Sequence, residues 1–250
     1  MKIVDATWEL RNLGKKTIEI TLEEADFQKS PKDICNSIDQ VKSQYQSEYT
    51  VVKIPSGNPW FGNEIVKNGF FHIEMQFHIK ATKKDIETSA KRYGHFFKNT
   101  TIQKVTDKES QDHILSEIRK GIFFTDRIAL DPEFGIEIAN RRYANWTEDE
   151  IKRGTTLAYI IADGKKIGFS LRRHEGSSTF GLLSGLFNDY KNLNLGGNIF
   201  FTELYEDAKN GYKNFYGDVS SNNLTTLRLN EAFGYRIEKI YEVYIKHDKY

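Results

Sequence analysis

The chain has 250 residues, 38% of them hydrophobic and 13% aromatic, which allows one large domain or two small ones and argues against a disordered chain. Its 36 basic and 35 acidic side chains leave a net charge of +1, so composition indicates no general affinity for nucleic acid or an anionic membrane. The single cysteine, Cys35, excludes an intramolecular disulfide. The sequence has neither the apolar core of a secretory signal nor roughly 18 uninterrupted apolar residues. We therefore expect a cytoplasmic protein.

The first part of the chain has the pattern of an α/β unit. Residues 18–22 alternate between apolar and polar side chains, which predicts a half-buried strand. Ser30 and Pro31 suit the cap and the first position of a helix whose apolar residues recur at helical spacing as far as Tyr45. A short strand over residues 51–54 follows.

Residues 71–79 show the clearest alternation in the chain and predict another strand. Its polar face carries His72, Glu74, Gln76 and His78. We interpret this face as exposed and expect no metal site, because the sequence suggests no further ligand. Residues 1–95 are predicted to form a small N-terminal α/β domain, with the connection to the next domain placed within residues 81–108.

The rest of the chain, residues 96–250, is predicted to be a second α/β domain. Asp163-Gly164 is a strong hairpin signal between two strands. The predicted elements are helices near 114–118 and over 132–152, strands over 156–162, 167–173 and 180–187, a helix ending near 209, a strand over 215–219, a helix over 224–233 and a strand over 237–245.

The loop before the helix that ends near residue 209 has features of a phosphate site. Amides at a helix start lack intrahelical partners, and the helix dipole adds partial positive charge. Gly196 and Gly197 have no Cβ to keep a phosphate away, and Asn194 tolerates a left-handed backbone. A Gly-Gly pair is also common in ordinary turns. The glycine patterns of Rossmann and P-loop proteins are absent.

With this loop the chain resembles the GNAT superfamily of acyltransferases. In that family the loop reads Arg/Gln-x-x-Gly-x-Gly/Ala and grips the pyrophosphate of coenzyme A. Lys191, Asn194 and Gly196 stand at its fixed positions, and the first two depart from the usual residue. Residues 222–235 resemble the family's downstream helix more closely. The resemblance implies a GNAT fold, with a mixed, mainly antiparallel sheet flanked by helices, and acetyl-CoA as the cofactor.

The same resemblance implies which residues contact coenzyme A. Asn223 matches an asparagine that touches the pantetheine arm, and Leu186 and Phe187 match a strand bulge whose free N–H meets the acetyl carbonyl. The predicted cofactor-binding residues are Leu186, Phe187, Lys191, Asn192, Asn194, Leu195, Gly196, Gly197, Asn198 and Asn223.

A narrower likeness spans most of the chain and concerns TDP-fucosamine acetyltransferase-like enzymes. It is carried by Trp8-Glu9-x-x-Asn12-x-Gly14, Gly69-Phe70, Arg142-Tyr143-Ala144-Asn145-Trp146, residues 165–172 and Gly181-Leu182-Leu183. Those enzymes place a small α/β domain before the GNAT domain and acetylate the amine of a nucleotide-linked amino sugar. The resemblance implies such a substrate, although another amine on a peptide, a polyamine or an antibiotic is an alternative.

The implied reaction is direct attack of a neutral amine on the thioester, and the expected general acid is missing. The family often uses a tyrosine where this chain has Asn230, and an amide is no acid near neutral pH. Tyr235, Tyr241 or Tyr244 could supply the proton, or the thiolate could leave with the help of water. A third alternative is a protein that binds acyl-CoA without turnover.

Three further residues are candidates for substrate binding. Tyr143 and Trp146 lie three apart on a predicted helix, where stacking on a sugar or base competes with core packing. Arg172 could hold a diphosphate, although solvated charge is the commoner role of such a residue. The oligomeric state stays open, with a homodimer as one option.

Overall fold

The computed structural model describes residues 1–248. Its strands and helices are, in chain order, β1 Lys2–Asp5, α1 Trp8–Leu13, β2 Thr17–Thr21, α2 Pro31–Tyr45, β3 Tyr49–Pro55, α3 Pro59–Lys67, β4 Phe71–Thr82, α4 Lys83–Tyr93, β5 Thr100–Lys104, α5 Lys108–Arg119, α6 Gly135–Lys152, β6 Thr156–Ala162, β7 Lys165–Glu175, β8 Ser178–Leu186, α7 Gly196–Lys209, β9 Asn214–Ser220, α8 Leu224–Ala232 and β10 Arg236–His247. None of the helices in this described part is long and apolar enough to cross a membrane.

The ten strands of residues 1–248 form one sheet in the order β1-β2-β3-β10-β4-β9-β8-β7-β6-β5. The pairs β2–β3 and β8–β9 are parallel, and the other neighbours are antiparallel. This is the mixed, mainly antiparallel sheet with helices that the sequence predicted, so the fold class is confirmed.

Two segments of the chain repeat the same order of elements. β2-α2-β3-α3-β4 and β8-α7-β9-α8-β10 each contain two parallel strands joined by a helix, then a nine-residue helix, then a twelve-residue strand. Both short helices are followed by a left-handed glycine, Gly69 in one and Gly234 in the other. We call these segments the N-terminal and C-terminal repeats.

The two repeats exchange their last strands. β10 of the C-terminal repeat pairs with β3, and β4 of the N-terminal repeat pairs with β9. β4 and β10 then pair with each other in the middle of the sheet. The units predicted on either side of residue 95 therefore share one continuous sheet, and the boundary itself stays a prediction.

Helices cover both faces of the section β6–β8. Leu157 and Tyr159 pack in one apolar cluster with α5 and α6, whereas Ile160 and Ala162 pack on the other face with Ile199 of α7. Since side chains of a strand alternate between the faces of a sheet, α5 and α6 lie opposite α7. This arrangement places α6 and α7 on the two sides of the β8–β9 junction.

Residues 81–108, the predicted connection, contain three elements that were not predicted, namely α4, a 3₁₀ turn at Gly94–Phe97 and β5. α4 begins with a capping box between Thr82 and Asp85, but only Ile86 of the helix is buried, so its apolar periodicity is weak. β5 is a five-residue strand at the edge of the sheet. α1 and α3 were also missed.

Candidate active site

The parallel strands β8 and β9 separate part-way along their length. Their pairing covers four residues of each strand and ends at Gly181 and Gly217. Just beyond, the register of β8 against β7 shifts by one between Gly181 and Leu183, which leaves Leu182 as an extra residue. Such a bulge bends a strand. β8 and β9 therefore enclose an open cleft from Leu182 onwards.

The backbone of β8 presents some of its amides to this cleft. The Phe187 N–H donates to the carbonyl of Ile167 on β7, at 2.9 Å. Because alternate residues of an antiparallel strand face the same neighbour, the amides of Ser184 and Leu186 face away from β7. Of the two residues predicted to meet the acetyl carbonyl, Leu186 presents its amide to the open side and Phe187 does not. The bulge itself lies four residues before Leu186.

The cleft continues into a cavity of about 550 Å³. Its β8–β9 side is lined by Leu182, Leu183, Ser184, Gly217, Val219, Ser220, Asn223 and Asn230. Its other walls come from α1, β2, β4, α6 and the segment before α6, and include Trp8, Asn12, Glu19, Glu74, Phe123, Asp126, Arg127, Arg142, Tyr143, Trp146 and Arg153. The cavity is thus built from both repeats and from α6.

The start of α7 lies at one end of β8 with unbonded amides. The cap residue Leu195 makes no side-chain cap hydrogen bond. Within residues 1–248, no acceptor bonds the amides of Asn194, Leu195, Gly196 or Gly197, whereas Asn198 and Ile199 donate to the Leu195 carbonyl. These free donors, at the positive end of a fourteen-residue helix, suit an anion.

Gly196 and Gly197 differ in what surrounds them. A Cβ on Gly196 would have its nearest neighbour, Leu229 Cδ1, at 3.7 Å, an ordinary contact. A Cβ on Gly197 would lie 2.8 Å from the ring of Phe96. Gly197 therefore makes room for Phe96, and Gly196 is the glycine that leaves space for a ligand.

Other predicted loop residues hold the loop in place. Lys191 Nζ donates to the Gly121 carbonyl at 3.1 Å. Asn198 Nδ2 donates to the Phe96 carbonyl and to Thr100 Oγ1. Asn192 and Asn194 both adopt left-handed φ, at 65° and 58°. The predicted left-handed role of Asn194 is thus present in the structure.

α8 contributes two predicted residues to the cavity wall. Asn223 caps the helix by accepting from the Thr226 N–H at 3.2 Å, and its side-chain amide donor has no partner among the described residues. Asn230 is buried and its Nδ2 donates to the Thr226 carbonyl at 2.8 Å. Both residues therefore line the cavity beside the β8–β9 cleft.

The three predicted tyrosines lie in different places. Tyr235 lines the cavity, and burial raises its pKa, so the phenol stays protonated. Tyr241 stacks edge-on against His78 on the sheet. Tyr244 packs in the apolar cluster of the N-terminal repeat and donates to Glu242 Oε2 at 2.6 Å. Neither Tyr241 nor Tyr244 is part of the cavity wall.

The predicted substrate-binding residues also separate. Tyr143 and Trp146 line the cavity with ring centroids 6.2 Å apart. Arg172 is 5% exposed and lies outside the cavity wall, with Nη2 2.5 Å from Asp207 Oδ2. Arg172 therefore forms an ion pair beneath α7, and its position does not support the predicted contact with substrate.

Two arginines of the cavity wall, Arg142 and Arg127, form ion pairs with glutamates. Arg142 Nη2 lies 2.6 Å from Glu9 Oε1, and Arg127 pairs with Glu19. Burial alone would raise the pKa of Glu19, but Arg127 and Lys53 lower it to about 2, so Glu19 is ionised.

Two further carboxyl groups of the cavity wall have an oxygen without a partner among the described residues, Glu74 Oε2 and Glu203 Oε1. Burial raises the pKa of Glu203 to about 8, even though Arg172 Nη1 lies 3.8 Å away. Burial also raises the pKa of Glu74. Neither was predicted as a site residue, and the Glu74 face of β4 was interpreted as exposed. Glu74 is in fact only 6% exposed, and it lines the cavity.

The N-terminal repeat has no comparable cleft. All five residues of β2 pair with β3, so these strands do not separate. The first turn of α2 is capped by Ser30, which accepts from the Asp33 N–H, and the preceding segment carries Glu23, Glu24 and Asp26. Within residues 1–248, the combination of an open cleft and unbonded helix-start amides is therefore found in the C-terminal repeat only.

Solved structures share this architecture over most of the chain. A GCN5-related N-acetyltransferase from Sphaerobacter thermophilus superimposes with a TM-score of 0.62 at 11% identity, over 92% of this chain and 73% of that chain. The chain has the GNAT fold. A GCN5-related N-acetyltransferase from Kribbella flavida gives 0.56 at 11% identity, over 93% and 82%. A tandem GNAT protein from the clavulanic acid biosynthesis pathway gives 0.55 at 10%, over 86% and 69%.

No protein-family model matches the sequence, and no curated protein matches it. The likeness to the solved structures therefore concerns the GNAT fold, at identities of 10% to 12%. The two repeats with exchanged strands, the β8–β9 cleft and the start of α7 are features of this chain's own GNAT fold.

Proposed function

We propose that the chain transfers the acetyl group of acetyl-CoA to the amine of a small molecule. The observation that carries the proposal is the set of free amides at Asn194–Gly197, next to a cleft that leads into a cavity lined by carboxylates and aromatic rings. The free amides suit an anion, the cleft suits an extended thiol arm, and the cavity suits an amine.

The residues present fit coenzyme A. The amides before and within the first turn of α7 would hold its pyrophosphate, with Gly196 allowing close approach. Asn223 has a free amide donor for the pantetheine arm, and the amides of Ser184 and Leu186 face the side where an acetyl carbonyl would lie. Bound acetyl-CoA would supply the activated thioester, and these β8 amides would stabilise negative charge on its carbonyl oxygen.

The amine would approach from the α6 side of the cavity. Trp8, Tyr143 and Trp146 offer flat apolar surfaces for a ring. Arg153 lines the same wall, and its guanidinium pairs with Glu150 through Nη1 at 2.7 Å but is otherwise largely exposed. These groups support a nucleotide-linked amino sugar as the substrate class. In this proposal Arg153 takes the phosphate-binding role that the sequence suggested for Arg172.

Tyr235 is the candidate acid that remains among the three tyrosines, because it alone of them lines the cavity. Its raised pKa makes it a weak donor, so water is the alternative source of the thiol proton. Asn230 can hydrogen-bond near the sulfur but supplies no proton.

Calorimetry with acetyl-CoA, followed by an assay of thiol release with TDP- and UDP-amino sugars, polyamines, aminoglycosides and peptides, tests the proposal. We expect micromolar to millimolar cofactor binding and release of thiol with at least one amine. Binding with no acetylation would favour an acyl-CoA-binding protein, which Asn230 also fits. No binding at millimolar acetyl-CoA would contradict the proposal.

A further inference from the structure

Glu74 is a buried carboxylate that makes no ion pair with any described residue. It is 6% exposed, lines the cavity, and has an Oε2 atom without a hydrogen-bond partner in residues 1–248. A buried polar group of this kind is costly unless something binds it. Its free Oε2 atom can therefore accept a hydrogen bond or a proton from a molecule bound in the cavity.

The nearest cations are already committed to another carboxylate. Arg127 pairs with Glu19, and Lys53 Nζ lies 3.2 Å from Glu19 Oε2. The low pKa of Glu19 keeps it charged and these pairs intact. Glu74 is thus a second acidic group, without an ion pair of its own, beside the Glu19–Arg127–Lys53 cluster, and it can receive a cation or a proton from a ligand.

Strand exchange brings Glu74 to the cleft. β4 belongs to the N-terminal repeat but pairs with β9, where Gln76 lies opposite Ser220. The β9 residues 217–220 form one side of the cleft wall. Glu74 lies on β4 just past the last of these pairs, at the inner end of the cavity, which Asp126 and Tyr143 also line.

We propose that Glu74 is the general base of this site and takes the proton that the attacking amine loses. The proposal rests on the proposed acyl transfer and assigns the base to the repeat that lacks a cofactor site. The N-terminal repeat would then supply one half of the chemistry, and the C-terminal repeat the other.

In the proposed reaction, the amine nitrogen forms a bond to the carbonyl carbon of the acetyl group. The bond between that carbon and sulfur breaks, and its electron pair stays on sulfur. The proton lost by nitrogen goes to a Glu74 carboxylate oxygen, and sulfur takes a proton from Tyr235 or water. Glu74 returns its proton to solvent when the amide leaves, so the products are an N-acetyl amide and a free thiol.

The environment of Glu74 raises its pKa, which favours the acceptance of a proton. Burial raises its pKa, Asp126 acts in the same direction, and Ser220, Arg127 and Lys53 oppose the shift. Tyr143 also faces it and is held protonated by burial. A carboxyl with a raised pKa accepts a proton more readily than an exposed one. Activity should therefore fall on the acid side as Glu74 is protonated.

Glu74→Gln tests the inference, because it keeps the shape of the side chain and removes the base. We expect the acetyl-CoA Kd to stay within about twofold of the wild-type value while kcat falls roughly 10²–10⁴-fold with an amine that the wild type acetylates. The acid limb of the pH–rate profile should disappear. Formate should partly restore the rate of Glu74→Ala, which a merely structural role would not explain.

Glu238→Gln is the matched control. Glu238 lies on β10, outside the cavity wall, and pairs with Lys80 at the surface. The acetylation rate of the Glu238→Gln variant should therefore equal that of the wild type. If Glu74→Gln fails to fold, Glu74→Asp replaces it, with a smaller fall in kcat and the acid limb kept.

The outcomes separate the two proposals. A wild-type rate in Glu74→Gln would overturn the base assignment and leave acyl transfer standing. A wild-type protein that binds no acetyl-CoA would overturn the proposed function instead. A wild type that binds acetyl-CoA and acetylates no amine of the panel would overturn the base role while retaining the cofactor site.

Discussion

Glu9 of α1 and Arg142 of α6 form a buried ion pair, with Nη2 2.6 Å from Oε1 and Glu9 only 1% exposed. A second bond, from Asn145 Nδ2 to Asn12 Oδ1 at 2.9 Å, joins the same two helices. Because α1 has only six residues, these contacts with α6 hold it in place. They also bring Trp8 to the cavity wall beside Trp146.

Glu9→Ala should destabilise the protein by about 3–5 kcal/mol, because it leaves the Arg142 charge buried without its partner. Denaturant unfolding measures the loss. Glu24→Ala is the control, since Glu24 is exposed and should change stability by less than about 0.5 kcal/mol. A loss below 1 kcal/mol for Glu9→Ala would mean that the pair does not hold α1 in place.

Gly196→Asp should weaken acetyl-CoA binding at least tenfold, about 1.4 kcal/mol, because it puts bulk and negative charge beside the free amides of α7. Calorimetry measures the change. Asn210→Asp adds the same charge at the exposed far end of α7 and should bind as the wild type does. Equal affinity in Gly196→Asp and the wild type would show that the anion site lies elsewhere.

Gly197→Ala should act on stability, because its Cβ would lie 2.8 Å from the Phe96 ring. Overpacking of this kind costs about 1–3 kcal/mol. Thermal unfolding should show a lower Tm, and Phe96→Leu in the same chain should recover part of the loss. An unchanged Tm would contradict the close packing of Phe96 on α7.

Glu203→Gln should stabilise the protein at alkaline pH. The folded state keeps the Glu203 proton up to about pH 8, whereas an unfolded glutamate releases it near its ordinary value of 4.5. The folded state therefore loses stability as pH rises from about 4.5 through 8, by on the order of 4 kcal/mol.

The Tm advantage of Glu203→Gln over the wild type should therefore be small at pH 5 and several degrees at pH 9. Melting curves at the two pH values measure it. An equal difference at both values would mean that the Glu203 carboxyl titrates normally in the folded protein.

The part of the chain from β6 onwards was largely predictable because its signals are local. The Asp163-Gly164 turn separates β6 from β7, and the Gly196-Gly197 pair does begin a helix. The N-terminal repeat carries fewer such signals. Pro59 follows the strand predicted over residues 51–54 and occupies the first turn of α3, a helix that was not predicted.

The role of Glu74 was not predictable, because alternation identifies two faces of a strand without saying what covers each. Glu74 is buried at a cavity that it lines with Asp126 and Tyr143, and strand exchange places its strand β4 beside β9, more than 130 residues away in sequence. Phe71, on the apolar face of β4, is 59% exposed. Arg172 likewise looked available to a diphosphate until the structure placed it under α7 with Asp207.

Calorimetric titration of the wild-type protein with acetyl-CoA measures whether the C-terminal repeat binds the cofactor. We expect saturable binding with one site per chain, since the β8–β9 cleft opens and the β2–β3 pair does not. Absence of binding up to millimolar acetyl-CoA, or two equal sites per chain, would contradict this expectation.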